Sequence, residues 1–505
     1  MSPVELDFDS CYRAASARDA RFDGRFYTAV TTTRIYCRPI CPARTPASRN
    51  VRFYRHAASA EAAGFRPCKR CRPELSPGDP GWDVRGDLVG RALRLIDDGA
   101  ADDSGVGGLA RRLHITERHL HRLFVAELGV GPLAVARTKR LLLAKQLLTE
   151  TALPVTDVAF AAGFGSVRQF NATMRETYGF TPSELRATAR GAREVGGTAG
   201  MRLRLHRREP YDVGSIFSFL ASRAIPGLEV ASPASYSRSV PGGTITLTPV
   251  DGYIALDVLV DDTRQLARIV ARARRLLDLD ADPEAISEAL SLTSLAPLVA
   301  ARPGLRVPGT FDGFEIAVRA VVGQQISVAG ARTLLGRIVA RVGHRSETPS
   351  PAVPLLADAA SEEAPHKREL PVVNLLEPTG PQPDGGLIYL FPTAAELAEA
   401  DLSGIGLTNR RVATLRELAQ RVADGEIDLD GGQEPGHAVA ELLKVPGIGP
   451  WTASYVALRA LRDPDAWPHG DLVLKQRMAA LGIPDDHIER WRPWRAYAAL
   501  HLWSS

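Results

Sequence analysis

Four cysteines fall into two close pairs, Cys37-x3-Cys41 and Cys68-x2-Cys71, separated by 26 residues. Each pair can grip one ion from a turn, and four soft thiolates favour Zn2+ over hard cations. The only other cysteine, Cys11, precedes them, and none follows Cys71. Thiols confined to one short segment suggest a local metal site in a reducing compartment rather than a disulfide framework. Two uses are open to such a site: a zinc that only staples a small core, or one whose thiolates react. Cys11 reads as a plain thiol outside it.

A second constellation lies far downstream. Val445-Pro446-Gly447-Ile448-Gly449-Pro450-Trp451-Thr452 has the apolar-Pro-Gly-apolar-Gly pattern of a helix-hairpin-helix. Gly447 and Gly449 let the backbone approach DNA, so that amides at the next helix start, at Thr452 among others, can hold a phosphate. A plain glycine-containing helical turn would look similar. Asp471, 20 residues after Trp451, is a carboxylate that could act on a sugar or simply N-cap a helix after Gly470, and the two roles are compatible.

The surrounding residues resemble known families. Phe26 to Val30, Thr32-Thr33-Arg34-Ile35-Tyr36-Cys37-Arg38-Pro39 and Ala63 to Cys71 resemble the N-terminal domain of Ada alkylation-response proteins over nearly all of residues 10–75. The resemblance implies one tetrathiolate Zn2+ on Cys37, Cys41, Cys68 and Cys71, with Cys37 accepting a methyl group from a DNA methylphosphotriester once per molecule. Zinc keeps thiols deprotonated at neutral pH. Methylating one thiolate removes a negative charge, so the site repels phosphate less and DNA affinity rises. Arg34 and Arg66, with Arg38, Arg44, Lys69 and Arg70, are the candidate phosphate contacts; a solvated basic face is the alternative.

Residues 106–126 read as helix, turn, helix, with Leu109, Leu113, Ile115, Leu120 and Phe124 at core spacing. Gly107-Gly108 should weaken the first of these helices. A second unit, Val155 to Phe164 followed by Ser166-Val167-Arg168-Gln169-Phe170 and Tyr178 to Pro182, resembles the AraC-type paired helix-turn-helix. That pairing implies two recognition helices in successive major grooves without a dimer. Arg118, His121, Arg122, Arg168 and Gln169 are the expected base or phosphate contacts. A helical bundle with no DNA role is the alternative.

From about residue 201 onwards, Ala301 to Gly309, Val318 to Val328, the hairpin, Asp471 to Arg477 and Arg490 to Trp503 resemble the AlkA 3-methyladenine DNA glycosylases. The resemblance implies an essential aspartate at Asp471 and a flipped-base pocket walled by Phe219, Trp451, Tyr455 and Trp503. For any one of these rings, ordinary core packing is the rival reading. Related strand-cleaving glycosylases carry a lysine where Trp451 stands, so a monofunctional enzyme is expected. Gln325 replaces the family's apolar duplex wedge, which leaves Gln325 or Ile326 to fill the gap. Gly470 and Leu472 also depart from the family pattern.

Positioning these residues takes several folded units, as 505 residues allow. The expected architecture is multidomain. A small zinc-bound α+β domain spans 1–79, and an all-α paired helix-turn-helix domain spans 84–190. A mixed α/β domain follows at 201–300, with the TBP-like sheet that the resemblance implies; Thr244 to Leu247 and Tyr253 to Val258 alternate as strands should. An all-α helix-hairpin-helix domain completes the chain at 301–505. Gly191 to Gly200 reads as a linker and residues 344–385, rich in Pro, Glu and Ser, as a disordered insertion. Arg and Lys exceed Asp and Glu by 14 to 8 over residues 1–80 and by 16 to 13 over 81–200, against 32 to 37 beyond. A basic front end favours a polyanionic partner. Met1 to Asp9 shows no secretory pattern, and no apolar run nears the ~20 residues of a membrane span. The expectation is a cytoplasmic monomer acting on alkylated double-stranded DNA and promoter DNA, with RNA polymerase as a further partner. A rival reading is a purely regulatory DNA-binding activator whose glycosylase-like half is a non-catalytic clamp.

Overall fold

The computed structural model describes residues 6–78, 88–188, 200–346 and 386–505. The expected linker at 191–200, apart from Gly200, and most of the expected insertion at 344–385 lie outside them. The flanks of the latter meet: Arg345 bridges Tyr389, and the Ser346 amide donates to the Ile388 carbonyl at 2.7 Å. Among the described residues no helix is long and apolar enough to cross a membrane.

The zinc module is built on a four-stranded sheet of order β3-β1-β2-β4, comprising β1 (Tyr27–Val30), β2 (Ile35–Cys37), β3 (Val51–Tyr54) and β4 (Arg66–Pro67). The β2–β4 pairing is parallel and the others antiparallel, so the two cysteine pairs, which follow β2 and β4, emerge at the same sheet end. A helix not apparent in the sequence, Phe8–Ala17, buries Cys11 on its inner face.

Two helix-turn-helix units follow, and the long helix Pro132–Glu150 joins them. The first unit packs Leu109, Leu113, Leu120 and Phe124 into its own core. The expected weakness at Gly107-Gly108 has a different form. The helix breaks at Gly105 (φ 66°, ψ −173°), while a Cβ on Gly108 would lie 1.9 Å from the Ser104 hydroxyl and one on Gly107 2.5 Å from Glu117. Close packing therefore requires Gly108, whose Cβ would also lie 2.2 Å from that of Ser104, whereas at Gly107 only the mobile end of Glu117 would have to move.

Beyond Gly200 comes a five-stranded antiparallel sheet of order β5-β9-β8-β7-β6, in which β5 is Met201–His206, β6 Glu229–Ser232, β7 Ser235–Val240, β8 Gly243–Val250 and β9 Tyr253–Val260. Helices dominate from Leu266 on, as the periodicity predicts. The second helix-turn-helix unit shares one continuous core with this sheet: Leu141, Leu147, Phe170 and Tyr178 cluster with Leu203, Leu205, Phe217 and Leu256. The helix Pro132–Glu150 accordingly has Val135, Thr138, Leu141, Lys145, Gln146 and Glu150 buried. A helix with buried residues around its circumference belongs inside a structure rather than on its surface.

Candidate functional site

The Sγ atoms of Cys37, Cys41, Cys68 and Cys71 lie within 4.8 Å of one another, the one such ligand cluster among the described residues. Local backbone geometry sets them there. The Cys41 amide closes a turn onto the Arg38 carbonyl (3.1 Å), and the Cys68 amide is tied to the Tyr36 carbonyl (2.9 Å). Two further amides point at sulfur, Arg38 N–H to Cys71 (3.3 Å) and Arg70 N–H to Cys68 (3.4 Å). Hydrogen bonding among the thiols pushes that of Cys37 up, whereas Cys41 falls to about 7 through its bond with Cys37. One soft dication would let all four ionise together, and the donor set fits a tetrathiolate Zn2+. Cys68 and Cys71 are buried, and Cys37 and Cys41 are half-buried. Burial lifts the Cys11 thiol to about 11, as suits an inert side chain.

Of the basic candidates nearby, exposed Arg34 lies in the turn before β2 and half-buried Arg66 in β4, with the Arg66 amide donating to the Arg34 carbonyl. Arg38 and Lys69 are otherwise engaged. Arg38 is buried against the Asp23 carboxylate and the Cys71 carbonyl. The Lys69 ammonium stands 4.3 Å above the ring of Phe180.

The second helices of the two units are Glu117–Leu128 and Val167–Tyr178, capped by Thr116 and Ser166 side chains that accept from the His119 and Gln169 amides. Arg118, His121, Arg122, Arg168 and Gln169 are all exposed on them. Arg122 bonds back to the His119 ring at 2.8 Å.

In the C-terminal half, Trp451, Tyr455, Trp503, Phe219 and Asp471 line one cavity of about 370 Å3. Asp471 is the N-cap it was expected to be and also faces the cavity. One carboxylate oxygen caps the helix Leu472–Ala480 through the Leu474 amide (2.9 Å) and accepts from the Trp503 indole (3.3 Å); the other accepts from the Trp451 indole (2.7 Å). Trp451 stacks on Tyr455 with centroids 5.3 Å apart and planes 10° apart. Phe219 lines the cavity together with two cations, the guanidinium carbons of Arg223 and Arg459 standing 3.9 and 4.8 Å from its centroid. The Thr452 side chain is buried and accepts from Gln324, which leaves the backbone as the part of this residue at the hairpin. The hairpin joins Pro435–Leu443 to Pro450–Arg459, with Gly447 at φ 97° and Gly449 as N-cap.

Gln325 and Ile326 part company. Gln325 is exposed at a turn tip in the left-handed region (φ 59°), whereas Ile326 is half-buried and lines the cavity. Sequence reasoning missed Gln324, which donates to the Gly447 carbonyl and the Thr452 hydroxyl (both 3.0 Å) and so fastens this turn to the hairpin. It also missed Arg459, whose guanidinium bonds the Tyr455 hydroxyl (2.6 Å) and the Gly309 carbonyl (2.9 Å). Its place on one helical face with Trp451 and Tyr455, at i, i+4 and i+8, was the available signal.

Comparison with known proteins agrees with this layout. The family description "Metal binding domain of Ada" matches residues 10–74, "Helix-turn-helix domain" matches 109–188 and "AlkA N-terminal domain" matches 202–312. A Mycobacterium tuberculosis protein named "Probable bifunctional transcriptional activator/DNA repair enzyme AlkA" is 44% identical over 513 residues, covering 99% of this chain and 96% of its own. The chain belongs to the Ada/AlkA fusion family. Each half of the fusion also has separate relatives. "DNA-3-methyladenine glycosylase 2" of Escherichia coli is 31% identical over 59% of this chain and 95% of its own length. "Bifunctional transcriptional activator/DNA repair enzyme Ada" of the same organism is 36% identical over 36% of this chain and 49% of its own.

Proposed function

We propose that this Ada/AlkA fusion repairs alkylated DNA and regulates the response to it. Its C-terminal half is a monofunctional DNA glycosylase that releases alkylated purines such as 3-methyladenine. Its paired helix-turn-helix binds promoter DNA and works with RNA polymerase. The observation that carries the glycosylase reading is Asp471, held by two indole N–H groups at the wall of an aromatic cavity behind a helix-hairpin-helix. A purine alkylated on a ring nitrogen is already cationic and needs no proton to leave. One carboxylate then suffices to stabilise the oxocarbenium-like sugar and orient the attacking water. Gln325, exposed at its strained tip, fills the gap left by the flipped nucleotide, while Trp451, Tyr455 and Trp503 stack the base. Asn at position 471 keeps an oxygen for the helix cap and the Trp503 indole and gives up only the bond from Trp451, whose N–H would meet the amide NH2. Asp471→Asn should therefore abolish base release from methylated DNA with little change in thermal stability; normal turnover would refute the assignment.

The zinc module is a self-consuming methyl acceptor. Zinc supplies a standing thiolate at neutral pH. The Cys37 sulfur attacks the methyl carbon of the phosphotriester, the C–O bond breaks, and the electron pair leaves with the phosphodiester anion. Partial exposure of Cys37 supports this role. Mass spectrometry after exposure to methylphosphotriester DNA should find one added methyl on the Cys37 peptide. A methyl on Cys41 would reassign the acceptor, and an unmodified set would leave a structural zinc.

A further inference from the structure

Gln325 holds a conformation that its own chemistry does not favour. At φ 59° it lies in the left-handed region, which is costly for a residue with a side chain and persists only where the surroundings impose it. Two helix ends supply part of that constraint. The Gln324 amide reaches back to the Val321 carbonyl of the helix Gly313–Val322 (3.4 Å), and Ser327 opens the helix Val328–Val342 by accepting from the Gly330 amide (3.1 Å). The planar peptide unit joining Gln324 to Gln325 is the lever between them, because turning it about the Gln325 N–Cα bond changes φ at the tip.

Arg411 grips this lever. Its guanidinium donates to the Gln324 carbonyl at 2.5 Å, across 87 residues of chain. Half-buried Arg411 pairs with no carboxylate among the described residues, so a full positive charge is directed at one backbone oxygen. Hydrogen bonds from an ionised donor are among the strong ones. Arg411 belongs to the helix Asn409–Ala423, and one turn further on the Thr414 hydroxyl of that helix donates to the Pro446 carbonyl of the hairpin (2.7 Å). The Gln324 side chain closes the remaining side through the Gly447 carbonyl and the Thr452 hydroxyl. Tip, hairpin and helix thus form a closed triangle, and Arg411 is the tie between helix and tip.

We propose that Arg411 is a positioning residue for base flipping. It holds the turn of Gln325 in the inserting conformation, so that capture of a phosphate by the hairpin and entry of Gln325 into the duplex occur together. A preset wedge has given up its conformational freedom before DNA arrives, which lowers the cost of extruding the nucleotide. Arg411 touches no reacting atom, and its effect passes through Gln325.

The inference rests on the glycosylase reading. Its test is single-turnover release of 7-methylguanine by the whole chain from two duplexes. In one the lesion faces cytosine, and in the other a tetrahydrofuran spacer, so that no base pair has to open. Arg411→Met should slow release from the paired duplex about tenfold and from the spacer duplex less than about threefold. Arg411→Lys, which can still donate to the carbonyl, should recover most of the rate. A double-mutant cycle separates positioning from support of the fold: in a Gln325→Ala background, Arg411→Met should be nearly silent, whereas additive losses would overturn the role. Binding to abasic-site DNA should keep its salt slope in Arg411→Met. A slope reduced by about 1 would make Arg411 a phosphate contact and overturn the inference. Equal losses on both duplexes, or none, would overturn it as well, while absence of release from either duplex by the wild type would overturn the glycosylase reading itself.

Discussion

Glu61 stands where the zinc module meets the helix Pro132–Glu150, accepting from the Tyr36 hydroxyl at 3.0 Å and from Thr138 at 2.6 Å. Desolvation at that junction lifts its carboxyl to about 7, against roughly 4.3 for a solvated glutamate. The folded state therefore holds a proton that the unfolded chain has released at intermediate pH. The contribution of this residue to stability is complete below about pH 4.3 and is lost as pH rises through 7. Glu61→Gln has no proton to lose. Relative to wild type the variant should gain about 2–3 kcal/mol between pH 5 and pH 8, measured by thermal unfolding at the two pH values. An unchanged difference across that range would mean that Glu61 is ionised in the folded protein.

At the scale of elements, the hairpin shows why one residue type is required. A Cβ on Gly447 would lie 2.2 Å from the Thr414 hydroxyl, and the backbone there is left-handed. That hydroxyl in turn donates to the Pro446 carbonyl at 2.7 Å. Gly447→Ala must disturb either the turn or this bond, so a loss of about 2 kcal/mol and weaker binding to abasic-site DNA are expected, readable by denaturation and DNA titration. Much of this was legible beforehand. The cysteine spacing, the hairpin glycines and Asp471 sit in short local patterns whose geometry the chain dictates within a few residues. Gln324 and Arg459 were not, because each acts through partners far along the chain: Gln324 is 123 residues from Gly447, and Arg459 is 150 from Gly309. Phe219 does line the cavity, but an aromatic in sequence carries no sign of the arginines that will lie against it.

For the whole molecule, the helix Pro132–Glu150 is the common member. Lys145, 1% exposed, bonds Glu74 (2.6 Å) and the Cys68 carbonyl (3.2 Å) of the zinc module. Glu150 accepts from Arg72 on one side and from the Arg204 amide of β5 on the other, at 3.0 and 3.1 Å, and Gln146 donates to the Arg204 carbonyl. Removing one partner of a buried pair strands the other, so Lys145→Met should cost about 3–5 kcal/mol. Adding Glu74→Met should recover much of it. A calorimetric double-mutant cycle tests this, and additive losses would show that the pair is uncoupled.

The same helix limits how such a chain can be reassembled. A grafted glycosylase must bring a β5 backbone to the same register against Gln146 and Glu150, and an exchanged zinc module must bring a carboxylate to Lys145. Both flanking domains meet one shaft, so recombination between such chains should respect the span from Cys68 to Leu205 as a single block.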